Sequence, residues 1–232
     1  MPDQLDDTEP QEIKSSSGPD PNTKPPLHTP PPGACDCHVH VYGPHAQFPF
    51  LPDYIERSCE APKDALERMH RITGIDRCVV VHVPAHGLDL SVTLDAMGNS
   101  EREVRAIALI NRDITNARLK ELHEFGVRGI RYSPSLDGGP LDHSVVRRMA
   151  DRIGPFGWHI LLHFKNSAIL EYSDLLDELP VPFVLDHFGS IDPAKGGINQ
   201  ETFRLVLEHL TKGNGWIKIS AIEKVSHQNY PF

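Results

Sequence analysis

Apolar positions fall into short runs with little alternation, separated by longer stretches where they recur at helical spacing. CVVVHV and FVLDHF are apolar at consecutive positions, the pattern of a strand covered on both faces. Strands are predicted over 35–42, 77–83, 104–110, 127–133, 158–164, 182–188 and 216–220. Helices are predicted over 62–72, 89–99, 117–125, 143–153, 167–179 and 200–210, with Pro62 at a first-turn position and Thr115 and Asp142 as caps. Such alternation builds either an open doubly wound sheet or a (β/α)8 barrel. No Gly-rich phosphate-binding fingerprint follows any of these strands, so the usual reason for an open sheet is missing. The strand ends carry His, Arg and Asp instead, which a barrel gathers at one mouth. The expected fold is α/β, a (β/α)8 TIM-barrel type that stops after strand seven.

Composition changes the picture at the start of the chain. Residues 1–33 hold 9 of the 21 prolines and six acids against Lys14 and Lys24, with almost nothing large and apolar. Such a segment cannot bury enough surface to offset its ordering entropy, so 1–33 is expected to be a disordered tail and 34–232 the barrel domain. The tail carries −4 of the formal net charge of −9, which leaves a mildly acidic domain without the Lys/Arg density of a nucleic-acid binder. No apolar run approaches the ~20 residues of a membrane span, and the acidic start has no signal-peptide core. The four cysteines form no C-x-x-C pair, which fits reduced thiols and a cytoplasmic location. Oligomeric state has no signature here.

Histidine is the unusual count, fourteen against five Tyr and two Trp. A two-residue period puts Asp36, His38 and His40 on one face of the first strand, with Cys35 and a packed Cys37 on the other. With His163 ending strand five and His187 ending strand six, four imidazoles would face one cavity. His38, His40, His163 and His187 could then ligate Zn²⁺, or polarise a carbonyl without any cofactor. Arg131 ends an otherwise apolar strand and suits a carboxylate clamp. Lys218 is equally odd for a barrel interior, and suits either a buried ion pair or a pocket role. His82 and His86 read as rim residues, whereas His70, His123, His143 and His209 lie on helices and read as solvent-facing.

Several of these stretches resemble a known family. Pro31-Pro32-Gly33-Ala34-Cys35-Asp36-Cys37-His38-Val39-His40-Val41-Tyr42-Gly43-Pro44 followed by Phe48-Pro49-Phe50 is similar to the opening of the 2-pyrone-4,6-dicarboxylate lactonase-like branch of the amidohydrolase superfamily. His86-Gly87-Leu88-Asp89, Thr93-Leu94-Asp95-Ala96, the run Gly126 to Arg131, Gly157-Trp158-His159 and Asp186-His187-Phe188-Gly189 continue the likeness in order. The resemblance implies a metal-dependent or metal-free hydrolase of a carboxylated lactone or pyrone ester. It places His38, His40 and His187 around the scissile carbonyl as catalytic residues. It gives Arg131 to a substrate carboxylate and Tyr54 to the first loop as substrate-binding residues, and it makes a small carboxylated lactone the partner, with no nucleic acid or membrane.

Departures from the pattern change what is expected. His163 stands where the family has a tyrosine, also a substrate-binding position. Pro84 lies where it has a serine, and a second arginine is lost near Asp137. The Gly-Thr-Asp-Trp-Pro stretch, with the water-activating aspartate, has no counterpart before Pro231-Phe232. Two further readings therefore stand beside the lactonase: a Zn-dependent decarboxylase of the same superfamily, and a truncated, catalytically incompetent paralogue.

Overall fold

The computed structural model describes residues 17–52, 54, 59–98, 100–133, 141–164 and 168–228. Expectations that fall on residues 1–16, Asn99, Asp137, Ser167, Pro231 and Phe232 lie outside these. Strands β1 (Cys35–Val39), β2 (Arg77–Val81), β3 (Glu103–Ala108), β4 (Val127–Tyr132), β5 (His159–Leu162), β6 (Phe183–Leu185) and β7 (Gly215–Ile217) form one sheet in chain order. Every pairing is parallel. Helices α1 (Lys63–Thr73), α2 (Ser91–Gly98), α3 (Asn116–Phe125), α4 (His143–Ile153), α5 (Ile169–Glu178), α6 (Glu201–Thr211) and the short α7 (Ile222–Val225) fill the connections. This is the seven-stranded part of a (β/α)8 barrel, and β1 and β7 are its two edges.

The helix ends follow local chemistry. Thr115 Oγ1 accepts from Arg118 N at 3.1 Å, and Asp142 Oδ1 accepts from Ser144 N at 2.8 Å, each satisfying an orphan donor of the first turn. Gly74 and Gly126 close α1 and α3 in the left-handed conformation that L side chains rarely adopt.

Two apolar layers show which way each strand faces. Ile130, Ile160, Leu162, Phe183 and Leu185 pack with the helices, while Val81, Ile107 and Leu161 form a separate cluster with Val79 and Val184 on the concave side. Alternation then turns Arg131 and Asp186 toward the concave side. On β1 the expected phase fails. The pairing register shifts between Asp36 and Val39, so Asp36 aligns with the helix-facing Cys78 and meets His70 Nε2 at 3.2 Å. His38 and His40 face inward without Asp36.

Three other expectations are corrected by packing. His70 and His209 are buried, each 1% exposed, because both sit on the faces of α1 and α6 that cover the sheet. His209 is held there by Ser173 Oγ at 2.8 Å and Asp177 Oδ1 at 3.2 Å. His123 and His143 are half-buried, and His123 Nδ1 accepts from Trp158 Nε1 at 3.0 Å. Cys37 is exposed rather than packed, since it lies on an edge strand at the register shift.

Residues 17–33 run along α1. Gly33 N donates to Asp76 Oδ2 at 2.6 Å, Arg77 Nε donates to Gly33 O at 2.8 Å, and Pro30 packs on Gly74. A cavity of about 380 Å³ lies between this segment and α1, with Pro19, Thr23, Leu66 and Met69 among its walls. No helix among the described residues is long and apolar enough to cross a membrane.

Candidate active site

The predicted strands run past the observed ones at their carboxyl ends, and that difference builds the site. The ladder stops at Val39, Tyr132, Leu162, Leu185 and Ile217, so His40, His163, Asp186, His187 and Lys218 sit on the segments that leave the sheet. After β6 the departure is abrupt: His187, Phe188 and Ser190 all have φ between 50° and 55°. Non-glycine residues in this region cost about 1–3 kcal/mol each and persist where surrounding contacts hold them. Here His187 Nδ1 is held by Ser220 Oγ at 3.0 Å and Phe188 N by Lys218 O at 2.9 Å.

Asp186 lies at the centre and is 1% exposed. Its Oδ2 accepts from Arg131 Nη2 at 3.1 Å, and its Oδ1 lies 3.2 Å from His38 Nδ1 and 3.7 Å from Lys218 Nζ. Burial alone would raise this carboxyl, but its polar neighbours, the Arg131 and Lys218 cations among them, outweigh it and hold the group well below the usual carboxylate range. Asp186 is not among the site residues expected from the sequence. Its signal was a lone carboxylate ending an apolar run, a position that demands a buried partner.

The imidazoles gather around it. The His38 ring centroid lies 4.9 Å from that of His40 and 4.8 Å from that of His187, and His163 is 5.6 Å from His187. His40 Nδ1 donates to Val81 O at 2.7 Å, which fixes its tautomer and leaves Nε2 as an acceptor. Burial pushes His40 down to about 3 and His187 to about 4. His163 is likewise pushed to about 4, by burial and then by the Arg131 charge. All three are neutral near pH 7.

The remaining expected residues divide. Tyr54 is joined to His40 through an aromatic series, with ring centroids at 5.7 Å to Phe50, 5.9 Å from Phe50 to Tyr42 and 6.1 Å from Tyr42 to His40. Arg131 is 6% exposed and its fork is partly taken by Asp186, so it is first an internal counter-ion; its Nε is buried without a partner among the described residues. His82 is buried and satisfied by Thr93 Oγ1 at 2.7 Å and Gly87 O at 3.0 Å, a structural pin. His86 is buried too, so neither is a rim residue. A cavity of about 320 Å³ opens beside the cluster, with His163, His187, Ser190, Asp192 and Lys224 in its wall.

Among the described residues, the donor atoms close enough to share an ion belong to His38, Asp186 and His187, all within 4.8 Å. His40 and His163 are not in that group, and His40 Nδ1 is already committed to Val81. The charges oppose a divalent ion as well. The single carboxylate already serves Arg131 and Lys218, and the Lys218 ammonium lies 3.0 Å from His38 Nδ1. A cation introduced here would meet two positive charges and, among the described residues, no uncommitted anion. These commitments weigh against Zn²⁺ at this cluster.

A partial (β/α)8 barrel with histidines, an arginine and a buried aspartate at the carboxyl ends of its strands defines a hydrolase-type barrel mouth. A family model described as Amidohydrolase matches residues 35–232, and the chain belongs to that family. It is 36% identical over 205 residues to a 4-sulfomuconolactone hydrolase of Rhizobium radiobacter, covering 87% of this chain and 68% of that protein. It is also 36% identical over 200 residues to a 2-pyrone-4,6-dicarboxylate hydrolase of Comamonas testosteroni, covering 84% and 65%. A solved structure of a Pseudomonas putida protein assigned as a 2-pyrone-4,6-dicarboxylic acid hydrolase superposes with a TM-score of 0.71 at 29% identity, covering 86% of this chain and 72% of that one. The chain thus spans about two thirds of the length of the curated relatives it matches.

Proposed function

We propose that this protein is a lactone hydrolase that opens a small lactone bearing an anionic substituent by attack of water on the ring ester. The observation that carries the reading is the joint placement of His38, His40 and His187 around the Arg131–Asp186 pair at the mouth of the sheet. Neutral imidazoles in a largely dry site can donate to a developing oxyanion or accept a proton from water, and such groups are worth most where solvent is excluded. Asp186 is a poor base, because two cations stabilise its charge. Among the described side chains His187 is the better base for the attacking water, with Ser220 setting its ring orientation.

The anionic substituent of the lactone would lie at the His163 and Lys224 side of the cavity, away from Asp192, whose carboxylate meets His227 Nε2 at 3.1 Å. A substrate oxygen reaching Arg131 Nε would also satisfy that buried donor. The two cations around Asp186 weigh against the zinc-dependent decarboxylase, since that reading needs a metal. The described cysteines are unpaired, which fits a reducing cytoplasm as the place of action.

The test is turnover by the full chain across a panel of carboxylated and sulfonated lactones, followed by ring opening in the ultraviolet. Hydrolysis of at least one, lowered about a hundredfold or more in kcat by His187→Asn, is expected. No turnover of any member overturns the reading.

A further inference from the structure

Lys218 follows the last strand of the sheet, yet its side chain ends at the first. Its Nζ donates to Cys37 O at 3.1 Å and lies 3.0 Å from His38 Nδ1, so one ammonium spans the open side between β7 and β1. The side chain is 14% exposed, and its backbone is fixed on both sides: Lys218 N donates to Leu185 O and Lys218 O accepts from Phe188 N, each at 2.9 Å. A lysine so held has three protons to place and no lone pair to offer.

Two groups compete for His38 Nδ1. Asp186 Oδ1 at 3.2 Å could only accept from that nitrogen, and Lys218 Nζ at 3.0 Å could only donate to it. Both cannot be satisfied in a neutral ring. Among the described residues Asp186 Oδ1 has no well-aligned hydrogen-bond partner, whereas Lys218 Nζ meets His38 Nδ1 in hydrogen-bonding geometry. The other ring nitrogen, His38 Nε2, is buried and has no partner among the described residues.

We infer that Lys218 is a positioning residue for His38: by donating to Nδ1 it confines the ring to the Nε2–H tautomer, so that Nε2 presents a hydrogen-bond donor to the substrate. His38 then polarises the ester carbonyl as a neutral electrophile and takes no proton from water. This division of labour complements His187 as base, and it rests on the lactone-hydrolase reading only for the identity of the acceptor. It also gives a reason for an ammonium in a barrel interior. A neutral or shorter side chain would leave Nδ1 free to donate to Asp186, which reverses the tautomer and turns a lone pair toward the substrate oxygen.

The tautomer is read directly, without turnover, by two-bond ¹H–¹⁵N correlation of the histidine rings in the full chain at pH 7. The His38 signals are identified by their loss in His38→Gln. The expected result is an unprotonated Nδ1 and a protonated Nε2, and a protonated Nδ1 in the unsubstituted protein overturns the proposal whatever the variants do. In Lys218→Met the ratio of tautomers should invert; a folded Lys218→Met with His38 unchanged also overturns it. Where lactone turnover is measurable, Lys218→Met should lower kcat by ~10²–10³ with KM nearly unchanged, the pattern of a lost transition-state donor. Absence of turnover in every protein would count against the proposed function and leave the tautomer result standing.

Discussion

Arg131 Nη2 donates to Asp186 Oδ2 at 3.1 Å, and the two side chains are 5% and 0% exposed. A pair this dry is costly to break from one side only, because the partner left behind is a buried charge. Arg131→Met should therefore destabilise the fold by about 3–5 kcal/mol and raise the Asp186 pKa toward the range of a buried carboxyl. The double variant Arg131→Met/Asp186→Asn should recover part of that loss. Urea unfolding of the two single variants and the double gives the coupling, and strict additivity would contradict a direct pair.

Acid should unfold this protein early. Burial pushes His40 to about 3 and His82, His159, His163 and His187 to about 4, against an ordinary value near 6.5. The unfolded chain therefore binds more protons than the folded one between about pH 6.5 and 4, so stability is full above that window and falls as pH drops through it. Asp186, held low, adds a loss at still lower pH. Stability by urea titration should decline steeply from pH 7 to pH 4.5, and His159→Gln should flatten the slope. A pH-independent midpoint over this range would show that these rings are not buried as described.

Much of this was legible in the sequence, and the rest has physical causes. Unalternating runs such as CVVVHV mark the strands, and the end positions of those runs mark the residues that cluster at the candidate site. The expected strands exceed the observed ones because β-branched and aromatic composition says nothing about where backbone leaves the ladder; the left-handed run at His187, Phe188 and Ser190 has no glycine signal except Gly189. A strict two-residue period misplaced Asp36, since one register shift reverses every later side chain. Residue type suggests solvent for His70 and His209, but their places on the sheet-facing sides of amphipathic helices decide the matter. Asp186 stands beside a histidine whose residue type suggests a ligand, yet it is the carboxylate that meets Arg131, His38 and Lys218.

The segment before β1 should be held at its carboxyl end by few bonds. Arg77 donates to Gly33 O through Nε at 2.8 Å and also through Nη2, and Asp76 Oδ2 accepts from Gly33 N. These contacts are exposed, so Arg77→Met should cost only about 0.5–1.5 kcal/mol overall. Its local effect should be larger than its global one. Limited proteolysis within residues 17–33 should quicken while the urea midpoint moves little, and an unchanged cleavage rate would mean that the apolar contacts of Pro30 and Met69 alone hold the segment.

Metal content tests the electrostatic reading of the cluster. Zn²⁺ bound by His38, Asp186 and His187 would have to displace the Lys218 ammonium from His38 Nδ1 and share the carboxylate with Arg131. A ligating imidazole must also turn a lone pair to the ion, which the Lys218 contact already occupies at Nδ1. The protein as purified should therefore hold far less than one equivalent of zinc, and overnight dialysis against a chelator should leave its thermal midpoint unchanged. Lys218→Met removes the nearest positive charge and frees Nδ1, so that variant should take up zinc more tightly than the parent chain by at least tenfold in calorimetric titration. Stoichiometric zinc in the parent, lost together with stability on chelation, would reverse the assignment and make Lys218 a group that moves aside when the ion enters.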